Sequence, residues 1–84
     1  MNIEIERGEI NMRYAVYKTM TKDKKNHVIL SHDDIKDMYY VTYKLYGKSE
    51  VFEYTHYNHA CYKFDIIHKT FKELFPKTLL TNVK

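Results

Sequence analysis

The chain has 84 residues, with 14 Lys and Arg against 11 Asp and Glu, a formal net charge of +3. That length predicts one domain, residues 1–84, with a thin core, because small domains bury a smaller share of their surface than large ones. The charge is milder than that of a dedicated nucleic-acid module, the lone Cys61 excludes an intrachain disulfide, and no apolar run approaches the ~20 residues of a membrane-spanning helix.

Residues 1–9, MNIEIERGE, have neither a basic segment nor an apolar one, so they do not read as a signal peptide. A single thiol also suits a reducing compartment. The expectation is a cytoplasmic protein without a membrane partner. Ile3 and Ile5 read as a short edge strand folded back through Gly8-Glu9, placing Ile5 opposite Met12, or else residues 1–9 are a flexible tail.

Ile10, Met12, Tyr14 and Val16 fall at every second position, which predicts a strand over Ile10–Met20. Thr21–Asn26, TKDKKN, is a charged loop, and His27–Leu30 is a short strand. Ser31-His32-Asp33-Asp34 then offers a helix N-cap with acids in the first turn, predicting a short helix through about Met38.

Tyr39–Tyr57 reads as a β-hairpin. Tyr39, Val41, Tyr43 and Leu45 alternate with Tyr40, Thr42, Lys44 and Tyr46. Gly47-Lys48 has the glycine-first pattern of a type II′ turn. Folding there pairs Tyr43 with Phe52 and Val41 with Tyr54 on one face, and Thr42 with Glu53 and Lys44 with Val51 on the other.

A helix is predicted from His59 to Phe75, with Asn58 as N-cap and Pro76 as its stop. Ala60, Phe64, Ile67, Phe71 and Leu74 form its apolar stripe at spacings of four, three, four and three. Lys63, Lys69, Lys72 and Glu73 lie off that stripe. The predicted fold class is α+β: a small antiparallel sheet of about four strands, a long C-terminal helix on one face, and a short helix before the C-terminal hairpin.

No catalytic site emerges from the residue pattern. His56, His59, Cys61 and His68 are ligand types for zinc, but Cys61 and His68 are seven residues apart on a helix, about 10.5 Å. Metal–ligand bonds of about 2.0–2.3 Å do not bridge that, so no metal and no cofactor are expected. The same distance separates Cys61 from His68 as nucleophile and base. There is no glycine-rich phosphate loop and no nucleophile elbow.

The sequence points instead to binding. Nine tyrosines and no tryptophan are unusual at this length. Tyr40, Thr42, Lys44 and Tyr46, with Tyr17, form an expected outer sheet face that suits a protein partner or self-association. The alternative is direct nucleic-acid binding, in which the tyrosines stack bases and Lys22, Lys24, Lys25, Lys63, Lys69 and Lys72 contact phosphates. The plainer reading is that these tyrosines only shield the sheet and the lysines only solvate it. A composition rich in Lys, Asn, Ile and Tyr is typical of AT-rich coding sequence. It fits an accessory protein of a phage or mobile element that modulates or inhibits a host complex, in the host cytoplasm.

Overall fold

The computed structural model describes residues 13–82. Its elements are β1 (Arg13–Met20), β2 (His27–Asp33), β3 (Met38–Leu45), β4 (Lys48–Tyr54), α1 (Tyr57–Leu74) and β5 (Thr81–Asn82). The described strands form one antiparallel sheet in the order β4-β3-β2-β1-β5. β1 to β4 are a meander of hairpins. The two-residue β5 comes back after the helix and pairs with the outer side of β1. The expected strands at Ile3, Ile5, Ile10 and Met12, and the alternative tail, lie outside the described residues.

The α+β class and the long C-terminal helix on one sheet face are as the sequence predicts, but two details differ. Among the described residues there are five strands rather than about four, because β5 is too short to show a periodic pattern. There is also no helix at residues 31–38. β2 runs on through Asp33, whose Oδ1 accepts the N–H groups of Ile35 (3.0 Å) and Lys36 (3.1 Å). An Asp that bonds the amides two and three residues ahead can cap a helix or close a turn. Here Asp37, at φ 54°, sends the chain back into β3.

The β3–β4 turn is also displaced from its expected place. It is Tyr46-Gly47, with φ of 50° and 85°, both left-handed as a type I′ turn requires. Val41 therefore faces Phe52, Tyr43 faces Glu50 and Thr42 faces Val51. This is two residues from the expected register, so the paired side chains of β3 and β4 keep their expected faces. Tyrosine is costly in a left-handed conformation. Two contacts hold it there: Asn26 Oδ1 accepts the Tyr46 N–H at 2.9 Å, and the Tyr46 ring lies 5.9 Å from that of Phe75.

In β1 the pairing with β2 shifts between Ala15 and Tyr17, a β-bulge at Val16. The extra residue reverses the alternation, so Tyr14 and Tyr17 both sit on the helix side. Val16 joins the core with Val28, Leu30, Val41, Ala60, Phe64 and Phe71. Of the predicted helix stripe, Ala60, Phe64 and Phe71 are buried, Ile67 is half-buried and Leu74 is exposed.

α1 begins at Tyr57, two residues earlier than expected. His56 takes the cap position with no side-chain bond to the helix, and Asn58 falls within the first turn. Tertiary packing outweighs the cap here, since the Tyr57 ring rests on Tyr39 at 5.4 Å. At the far end the Phe75 N–H bonds the Phe71 carbonyl at 2.8 Å and Pro76 stops the helix. Among the described residues, no helix is long and apolar enough to cross a membrane.

Candidate functional site

Strand register fixes what each sheet face presents. Opposite the helix lie Lys18 and Met20 of β1, His27 and Ile29 of β2, Tyr40, Thr42 and Lys44 of β3, and Ser49, Val51 and Glu53 of β4. Tyr40, Thr42 and Lys44 are thus together on this face, which is open in that none of the described elements covers it. Tyr40 is only 4% exposed there, and the Arg13 guanidinium carbon stands 3.8 Å from its ring centre. The bulge carries Tyr17 to the helix side, where its ring is 6.0 Å from Phe64. Tyr46 is neither on the open face nor under the helix. It projects at the β3–β4 turn and is 69% exposed.

Lys44 and Lys18 flank His27 on this face. Burial, then Lys44, then Lys18, hold the His27 imidazole below its ordinary pKa. All three act against the charged form, the first by desolvation and the others by repulsion.

β4 forms one edge of the sheet. Lys48 to Val51 are exposed, Val51 to 55%. In a two-residue hairpin the closing pair, here Leu45 and Lys48, exchanges both hydrogen bonds, and bonded pairs then alternate. Ser49, Val51 and Glu53 therefore turn their N–H and C=O groups away from β3. Among the described residues no strand lies on that side. Glu50, on the helix side, accepts the Tyr43 hydroxyl at 3.1 Å, a bond that raises the Tyr43 pKa.

A second cluster sits where β1, β2 and the β2–β3 turn meet. The His32 ring stacks on Tyr39 at 4.4 Å and meets Tyr14 edge-on at 5.7 Å. The Tyr14 hydroxyl lies 3.0 Å from His32 Nδ1 and 3.3 Å from Asp34 Oδ1, and His32 Nε2 lies 2.9 Å from Asp37 Oδ1. A carboxylate only accepts, so Nε2 carries the hydrogen toward Asp37. These groups satisfy one another and bind the turn to β1, which is the role of a brace. Sequence reasoning missed the cluster because it placed His32 and Asp34 in a helix. The signal was present: a turn through residues 34–37 sets His32 opposite Tyr39.

The remaining candidates are occupied or dispersed. The His68 ring stacks on Phe64 at 5.6 Å, and His56 and His59 meet edge-on at 5.2 Å. Cys61 is half-buried against the core. Its hydrogen bond, and then that of Tyr17, push the Tyr57 phenol upward. Among the described residues no three His, Cys, Asp or Glu side chains converge to hold a metal. Of the candidate lysines, Lys63 places its ammonium 4.3 Å over the Phe52 ring, and Lys72 donates to the Thr78 carbonyl at 2.7 Å. Lys22, Lys24 and Lys25 are exposed in the β1–β2 loop, and Lys69 is exposed on α1.

No family model matches the chain, and comparison with curated proteins and with solved structures gives no match either.

Proposed function

We propose that the chain is a non-enzymatic binding protein that receives an extended strand, from a protein partner or a second copy of itself, along the outer side of β4. The observation that carries this reading is the seven-residue edge with the backbone groups of Ser49, Val51 and Glu53 turned outward. Unpaired edges are templates for strand addition, in which main-chain bonds give affinity and alternate side chains give specificity. Lys48, Glu50 and Glu53 discourage indiscriminate edge pairing and favour a strand of complementary charge. Val51 and Thr42 offer the adjoining open face an apolar foothold. Occupying a partner's strand in this way suits a phage or mobile-element accessory factor that modulates or inhibits a host complex.

Val51→Pro is the direct test, because it deletes an outward N–H and no ladder bond, a position where proline is tolerated. Association, read by light scattering for self-assembly and by pull-down for another protein, should be lost in Val51→Pro and kept in Val51→Thr. A Val51→Pro variant that is folded and retains every partner overturns the reading.

The second reading is nucleic-acid binding across the open face, and the Lys18–His27–Lys44 row is the observation that favours it. It predicts oligonucleotide binding that weakens steeply with salt. No binding to DNA or RNA oligonucleotides at low ionic strength eliminates it.

A further inference from the structure

At the opposite edge from β4, the end of β1 and the segment after α1 flank an open cleft of about 700 Å³. Met20, Phe75, Pro76 and Leu79 supply its apolar walls, and Lys22 and Lys77 stand among its lining residues. Leu79 is 77% exposed, and the adjacent Leu80 is 47% exposed. Two leucines held in water beside an apolar cleft mark a surface built for contact.

The charge of the molecule is concentrated here. Segments 20–26 and 72–79 hold five lysines, Lys22, Lys24, Lys25, Lys72 and Lys77, against two acids, Asp23 and Glu73. The other described residues hold seven basic and six acidic side chains. A net charge of +3 thus lies at this end, against +1 over the other described residues. Asp23 is engaged within its own loop, accepting the Thr21 hydroxyl at 2.6 Å and the Lys25 N–H at 2.9 Å.

We propose that this cleft is a docking site for an acidic peptide segment carrying one bulky apolar anchor. The anchor fills the space between Phe75 and Leu79, and flanking Asp or Glu residues meet Lys22 and Lys77. Charge complementarity selects an anionic partner. The apolar walls select one with a hydrophobic side chain, which a phosphate backbone does not supply. The openness of the site favours a peptide over a small molecule, since small ligands occupy sites that enclose most of their surface. The site is remote from the β4 edge and does not depend on strand addition there.

The test is selection from a randomised twelve-residue peptide library displayed on yeast, using the full chain as bait. The enriched peptides should share an aromatic or long aliphatic residue flanked by acids. A synthetic, fluorescein-labelled copy of the consensus should bind at least tenfold more weakly when its anchor becomes serine. Lys22→Glu with Lys77→Glu should weaken binding to a similar degree, and so should Leu79→Ser. All three positions are on the surface, and an unchanged melting curve will show that the variants remain folded. Val51→Pro should leave this binding intact. A library with no such consensus overturns the proposal. So does a serine-anchored peptide that binds as well as its parent, or a single-stranded oligonucleotide that outcompetes the peptide at physiological salt.

Discussion

Thr19 brings its hydroxyl into the core at 1% exposure, with no hydrogen-bond partner for the oxygen among the described residues. A buried, unsatisfied polar group costs about 1–3 kcal/mol, whereas an apolar group of the same shape does not. Thr19→Val keeps the branched shape opposite Val28. It should raise the melting temperature, by ~4–8 °C for each kcal/mol gained in a domain of this size. Asn26 presents the converse case. It is 8% exposed and its side-chain oxygen holds the Tyr46 N–H, while its own N–H bonds the Thr21 hydroxyl at 3.2 Å. Asn26→Ala leaves the Tyr46 amide without that acceptor, and thermal melts should show a loss of about 1–3 kcal/mol. His27 gives a pH dependence. Its folded pKa lies below the ordinary 6.5, so the unfolded chain takes up a proton that the folded chain resists. The resulting stabilisation is complete above about pH 6.5 and is lost as pH falls through the lower folded value. Melting curves between pH 8 and 5 should show a decline that His27→Gln reduces.

At the scale of elements, periodicity made much of the structure legible. The alternation of Tyr39 to Leu45 and the stripe of Ala60, Phe64 and Phe71 assigned the correct faces, because burying apolar surface dominates both choices. Where the sequence misled, local chemistry was ambiguous. Asp33 bonds forward amides in a turn as it would in a helix cap, and only pairing with β1 and β3 decides between them. Tyr46 takes a turn position that favours Asn or Gly, because Asn26 and Phe75, both distant in sequence, hold it there. The bulge at Val16 moved Tyr17 to the helix side, and a one-residue insertion in a strand has no composition of its own. The candidate surface was legible only in Thr42, Lys44 and Tyr40, and the burial of Tyr40 beneath Arg13 was not. Phe71, fully buried between helix and sheet, tests the packing. Phe71→Ala should cost ~3–5 kcal/mol. That is a large part of the ~5–15 kcal/mol typical of whole domains, so chemical denaturation should show a variant close to unfolding at room temperature.

The molecule as a whole is built unequally from side to side. On one side of the sheet β1 is paired with the short β5 and adjoins the cationic end. On the other, β4 is seven residues long with its outward backbone groups open among the described residues. A chain of this size with no disulfide has little stability in reserve, and a partner that binds only the folded form adds to it by mass action. Strand addition at β4 is the central claim, and amide hydrogen exchange at that strand tests it most directly. In the chain alone, the Ser49, Val51 and Glu53 amides should exchange faster than those of Glu50 and Phe52, which bond β3. In the complex that the parent forms and Val51→Pro does not, those three amides should become protected. Protection confined to other elements, with the three amides unchanged, would contradict the account.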